Sequence, residues 1–228
     1  MYTIKDTKYI TGTEITGIHR AIKSSGLPMR QGVEYGAGLE ADFIRAAFLG
    51  TKPRGSGEDC FLKGIKVDFY WETPVAFQPH ILRYHFLDIV SSQSAMHKIK
   101  KMKPSKVYHP FVAKQTVALV QLLVDQHEIA KKEKAERTYN VLPLNAFLNR
   151  KELYEAIILN SPQGMMKIAD YTTNYLQLKT MFLQRLSEPV GMWEDFCQWC
   201  LSLPYFIEIC LGNKTDWSKI RSIEKGIK

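Results

Sequence analysis

Four cysteines in 228 residues are too few for a disulfide scaffold, and they are unevenly placed: Cys60 stands alone, while Cys197, Cys200 and Cys210 cluster late. Reduced thiols are expected. No apolar run approaches the roughly 20 residues that cross a bilayer, and Met1-Tyr2-Thr3-Ile4-Lys5-Asp6 lacks the basic and then apolar order of a secretory leader. The expectation is a cytoplasmic protein with no membrane segment. Also missing are the Gly-x-x-x-x-Gly-Lys-Ser/Thr phosphate loop, the Gly-x-Gly-x-x-Gly fingerprint, the Gly-x-Ser-x-Gly elbow and the His-Glu-x-x-His zinc pair. ATPase, Rossmann dehydrogenase, α/β-hydrolase and zinc-protease readings lose their main support. The chain has no internal repeat, heptad array or low-complexity block.

What is present is a globular composition, 45% apolar, 24% charged and 11% aromatic, which excludes a disordered or fibrous chain. The length favours a single domain over residues 1–228, with a loop-rich opening over 1–38. A net charge of +8 makes an anionic partner plausible, whether nucleic acid, nucleotide or acidic surface, without saying which.

Leu39, Phe43, Ala46 and Ala47 follow helical spacing up to a stop at Gly50, and Thr51 to Gly57 reads as a polar loop able to offer N–H groups to a phosphate or simply to connect. Ile65, Val67, Phe69 and Trp71 alternate with Lys66, Asp68, Tyr70 and Glu72, the period of a half-buried strand, which Pro74 ends. A mostly helical rhythm over Ala76 to Ile89 predicts Leu82, Phe86 and Ile89 on one face. The lysines from Lys98 to Lys106 read as a basic connector. Pro110 is expected to open a long helix through Val117, Val120, Leu123, Val124 and His127, which Leu142-Pro143 ends. A short helix over about 149–159 follows, then one capped by Ser161-Pro162 and reaching Leu186, then a last helix bearing Trp193, Phe196, Cys197, Trp199 and Cys200. The sum is an α+β fold, a mainly antiparallel sheet with a large helical part.

Cys197-Gln-Trp-Cys200 has the spacing of a zinc or redox pair, but no second half of a zinc site exists and the motif lies inside an apolar helical face. Core thiols and no metal are expected. The densest polar constellation is His80, Arg83, His85 and His97 with Ser91, Ser92 and Ser94.

Pro74 to His85, preceded by the strand and followed by Ser94, resembles the central signature of the flavin-dependent thymidylate synthases, in which a proline is followed nine residues later by Arg-His-Arg and then by a serine. Arg83 keeps the spacing, the triplet reads Arg83-Tyr84-His85, and the serine falls one position late at Ser94. Val141-Leu142-Pro143-Leu144-Asn145, Asn174 and Met181-Phe-Leu-Gln-Arg185 match three further family motifs in order, so that the likeness spans about 39–211. The family's Gly-His-x-Ser-Pro-Phe-Glu-His box, which helps hold the flavin, falls at Gly57 to Gly64 with both histidines absent. The family's arginine and tyrosine after the serine, which help grip the substrate phosphate, are replaced here by Met96 and His97, and the family's glutamine by His80.

The resemblance implies the fold of the thymidylate-synthase-complementing proteins and reductive methylation of dUMP to dTMP with FAD, a methylenetetrahydrofolate donor and NADPH. It also implies a homotetramer. Arg83, His85 and Asn174 would hold the cofactor. His80, Ser94, His97 and Arg185 would hold the uridine nucleotide, with Arg185 also the catalytic position. Two guanidiniums suit such a site, because each grips a phosphate or a pyrimidine edge through paired hydrogen bonds. His85 and His97 are either ordinary histidines or substitutes for lost arginines. The alternatives are a family member that has lost catalysis and binds nucleotide or nucleic acid, and an unrelated nucleic-acid-binding protein supported by the charge and the lysine run.

Overall fold

Alternation over 65–72 produces the strand expected there, burying Val67, Phe69 and Trp71 on one side while Lys66 and Tyr70 stay exposed. The computed structural model describes residues 4–32, 39–53, 55–101, 107–133, 137–188 and 190–212. Their elements run β1 (Ile10–Thr16), α1 (Ile18–Ser24), α2 (Leu39–Gly50), β2 (Lys66–Pro74), α3 (Gln78–Ile81), β3 (Asp88–Ser92), α4 (Ala95–Lys101) and α5 (Lys114–Glu133). They continue with β4 (Tyr139–Val141), β5 (Ala146–Leu148), α6 (Arg150–Asn160), β6 (Met166–Asn174), α7 (Tyr175–Arg185) and α8 (Gly191–Ser202). A four-stranded sheet in the order β1-β2-β6-β3 and a β4-β5 hairpin make the fold α+β, with antiparallel pairing in β1-β2 and in the hairpin.

The chain groups into two compact units, the first from Met1–Trp71, Ile81–Ser91 and Ala169–Lys228, the second from Glu72–His80 and Ser92–Ile168. In the first, the apolar face of α8 lies on Phe69 and Trp71 of β2, which also pack on Tyr171 of β6. Trp199 sits 4.5 Å from Phe69 between ring centres, Phe196 stacks on Trp71 at 5.3 Å, and Trp199 Nε1 donates to Thr13 Oγ1 on β1. The four rings are fully buried, so this cluster supplies much of the hydrophobic stabilisation of its unit. The second unit is built on α5 and α6, which bury Val120, Leu123, Leu153 and Ile157 together with Val141. A capping box starts α6: Asn149 Oδ1 accepts from the N–H of Lys151 and Glu152, and the Glu152 carboxylate accepts from the Asn149 N–H.

Cys197, Cys200 and Cys210 are buried and unbridged, as the apolar face predicts, and burial pushes the Cys197 thiol up to about 12 and the other two well above their ordinary range. A thiol held protonated only in the folded state loses stability as pH rises, because the unfolded chain releases the proton first. Stability is therefore expected to be flat below about pH 9 and to fall between pH 9 and 12, which urea denaturation across that range checks. In native protein a maleimide should label only Cys60, the exposed thiol; a second fast-reacting thiol would contradict this burial.

Four expectations need correction. The helical rhythm over 76–89 yields only the four-residue α3, a run of turns, and then the strand β3. Leu82 and Phe86 are 61% and 58% exposed, so no buried face rewarded a longer helix. Ser161 ends α6 instead of starting a helix, and the span to 186 divides into β6 and α7. There Ala169, Tyr171 and Thr173 alternate inward before Asn174 caps the helix. Pro110 lies in a turn, and α5 begins at Lys114. Finally, the first part of the basic connector is the helix α4, and its residues 102–106 lie outside the described ones. Lys98 Nζ donates to Gln93 Oε1 and the Met166 carbonyl, and desolvation pulls its pKa below the ordinary lysine value.

Candidate functional site

Where β6 gives way to α7, the chain must satisfy the first N–H groups of a helix, and Asn174 does so with its own side chain: Oδ1 accepts from the Gln177 N–H at 3.0 Å. The turn places Asn174, Gln177 and Thr180 along one wall of a cleft of about 550 Å³ in the first unit. The opposite wall is the 3-10 turn over Glu58–Gly64, which presents Asp59, Cys60 and Lys63. Gly55 and Gly57, at φ 85° and 83°, bring the polar loop to the same cleft with open space where a Cβ would stand. Phe86 completes it, fixed by the Thr173 hydroxyl, which donates to its carbonyl at 2.6 Å.

Lys179 holds the two walls in register. Its ammonium donates to the carbonyls of Gly50 and Lys52 and to Asp59 Oδ2, at 2.7, 2.8 and 2.8 Å. Three donors meet three acceptors, and both charged side chains are only 3% exposed. The glycine loop is thereby pinned at both ends to α7. Gln177 is the reverse case: its Nε2 is buried and makes no hydrogen bond, although the residue borders the cleft. A buried amide donor without a partner is expensive to keep in a folded chain.

Of the residues singled out from the sequence, Asn174 lines this cleft and His85 immediately precedes Phe86, which lines it too. Arg83 and His85 are exposed. Arg185 ends α7, where its Nε donates to the Tyr84 hydroxyl at 2.9 Å, its Nη1 meets Glu188 at 3.2 Å, and its guanidinium lies 4.5 Å from the Trp193 ring centre. It is held in one orientation on three sides, and it does not line the cleft. His80, Ser94 and His97 belong to the second unit. All three are exposed, and Ser94 Oγ accepts from the His97 N–H at 3.5 Å at the start of α4. Tyr84, Lys179 and Gln177 were not picked out from the sequence. For Lys179 a signal existed: it falls among Tyr175, Leu178 and Phe182 on the apolar face of α7, where a lysine needs a buried partner. Among the described residues no group of three or more histidine, cysteine or acidic side chains is placed to hold a metal ion, and no helix is long and apolar enough to cross a membrane.

No protein-family model matches the chain, and no curated protein does. Solved structures do. A flavin-dependent thymidylate synthase ThyX from Helicobacter pylori, complexed with FAD and dUMP, superposes with a TM-score of 0.61 at 14% identity, covering 91% of this chain and 100% of that one. A second structure of ThyX from Helicobacter pylori with FAD and dUMP gives 0.60 at 12% identity, over 89% and 96% of the two chains. The α+β fold of this chain is thus the fold of the flavin-dependent thymidylate synthases.

Proposed function

We propose that this chain is a flavin-dependent thymidylate-synthase-like enzyme that converts dUMP to dTMP in the cytoplasm, using FAD, a methylenetetrahydrofolate donor and NADPH. One observation carries the reading. The stretch that stands at the position of the family's flavin-holding box, Gly57 to Gly64, though without its two histidines, and the matching Asn174 are more than a hundred residues apart in sequence, yet residues of both line one cleft. The residues present suit part of a flavin dinucleotide. The orphaned Gln177 amide would donate to an acceptor on the flavin, Lys63 would supply a cation, and the open glycines Gly55 and Gly57 would let backbone approach a pyrophosphate.

When bound, the flavin supplies the hydride chemistry. The chain's part would be positioning: Lys179 fixes the loop, Asn174 and Gln177 would orient the flavin, and Phe86 would cover one side of it. By the resemblance, Arg83 and His85 would hold the cofactor, and His80, Ser94 and His97 the nucleotide, although none of the five lines the cleft. Arg185, pre-oriented by Tyr84 and Trp193, has Nη2 without a hydrogen bond among the described residues and would present it to the uridine nucleotide. The exposed apolar Leu82, Phe86, Ile89 and Val90 support a homotetramer in which such surface is covered.

Purified protein incubated with FAD and desalted should retain a yellow flavin spectrum that dUMP perturbs, and should form dTMP when the folate and NADPH are added. Flavin uptake without dTMP would reduce the reading to a nucleotide-binding protein, and a colourless protein that takes up no FAD would sink it.

A further inference from the structure

We infer that the second unit carries a separate anion site, a pocket between α5 and α6 that receives a phosphate monoester. The pocket, about 390 Å³, is lined by His127 and Lys131 from α5 and by Arg150, Lys151 and Tyr154 from the first turns of α6. Three of these side chains are permanent cations and a fourth is an imidazole. Against them stands Glu128, 3.6 Å from Lys131 Nζ and 3.7 Å from His127 Nδ1, one carboxylate between two basic groups. Arg150 and Lys151 have no acidic partner among the described residues. Glu152 is committed to the Asn149 N–H, and Glu155, one turn beyond Lys151, forms no ion pair with it.

This arrangement works against the stability of the helix. The N-terminal turn of a helix favours acidic side chains, because the macrodipole is positive there, and α6, which has Glu152 at its third position, places Arg150 and Lys151 at its first two. Packing α5 alongside adds Lys131 to the same pocket. Like charges gathered in this way repel one another until an anion occupies the space between them. The free N–H groups of the helix end are not the receptor, since Asn149 already takes those of Lys151 and Glu152. The side chains are.

Their chemistry selects a phosphate monoester: a dianion with three terminal oxygens matches a guanidinium fork and two ammonium groups. The half-buried Tyr154 ring, 5.8 Å from the His127 ring, offers an aromatic wall to the organic part of the ester. His127 itself is buried. The cleft at Asn174 shares no residue with this pocket and lies in the other unit.

The test is an NMR titration of the full-length protein, with its histidine rings labelled, using inorganic phosphate and then AMP. Saturable movement of the His127 ring resonances is expected, with AMP the tighter of the two. Arg150→Gln with Lys151→Gln should weaken AMP by tenfold or more, whereas Lys63→Ala, in the other cleft, should leave the His127 response intact. The double variant is also expected to melt at the same temperature or higher without ligand, because it removes repulsion from the start of α6. No saturable response at His127, a response unchanged in the double variant, or a lower melting temperature in it overturns the proposal. Tighter binding of an oligonucleotide that carries only phosphodiesters would also overturn it, in favour of a nucleic-acid surface.

Discussion

Lys179→Met should destabilise the protein by about 3–5 kcal/mol, the range for removing one partner of a buried ion pair. The methionine fills nearly the same volume on α7, so packing is retained and the loss isolates the charge. Asp59, 3% exposed at its side chain, is left as a buried carboxylate facing no cation, and the carbonyls of Gly50 and Lys52 lose their donor. For a chain of this length the melting temperature should fall by roughly 6–20 °C. Combining Lys179→Met with Asp59→Leu should recover part of the loss, because no unpaired charge remains; the unrecovered part measures the two orphaned carbonyls. Because the ammonium pins the glycine loop, flavin retention should weaken in both variants. A loss under about 1 kcal/mol in the single variant would show that water reaches Asp59 and that the pair does not hold the cleft.

The sequence showed the fold where one physical signal stood alone. In β2 the alternation is unbroken from Val67 to Trp71, and in α8 a single apolar stripe carries Trp193, Phe196, Cys197 and Cys200, so each could be read from its period. The same holds for α6, whose Asn149 and Glu152 are separated as a capping box requires. The stretch from 161 to 186 failed because two signals overlapped. Ser161-Pro162 has the chemistry of a helix start, but β6 intervenes, and Asn174 both ends that strand and caps α7. Nothing local ranks a serine–proline cap below an asparagine thirteen residues on; strand pairing decides it. Over 76–89 an apolar rhythm existed, yet Leu82 and Phe86 found nothing to pack on within the unit.

The cleft was half legible. Asn174 was reached through the resemblance, and the loop at Gly55 and Gly57 through its glycines, but neither observation could show that they meet. Lys179 and Asp59 are 120 positions apart, and an ion pair at that separation leaves no periodic trace. Arg185 was reached through the resemblance as a nucleotide-holding position; its partners Tyr84, Glu188 and Trp193 emerge only when the turn over 82–87 and the start of α8 are brought to the end of α7.

Gln177→Met should move two properties in opposite directions. Without ligand the wild-type Nε2 is a buried donor with no acceptor, in a residue 7% exposed, so the folded state carries a desolvation cost that the unfolded chain does not. Methionine keeps the unbranched shape and removes the amide, and the backbone N–H of residue 177 still reaches Asn174 Oδ1, so the helix cap survives. The variant should therefore be more stable than wild type by about 1–3 kcal/mol, seen as a raised urea midpoint with unchanged slope. Flavin binding should respond the other way. If the amide donates to an acceptor on the flavin, its loss should weaken FAD by tenfold or more, equivalent to about 1.4 kcal/mol, read by fluorescence titration as the bound flavin is released. A residue kept for packing would lose stability on substitution and leave FAD affinity alone, whereas a binding donor gives the opposite pair of signs. Lower stability together with unchanged FAD affinity in Gln177→Met would return the residue to a packing role and remove the donor from the proposed flavin site.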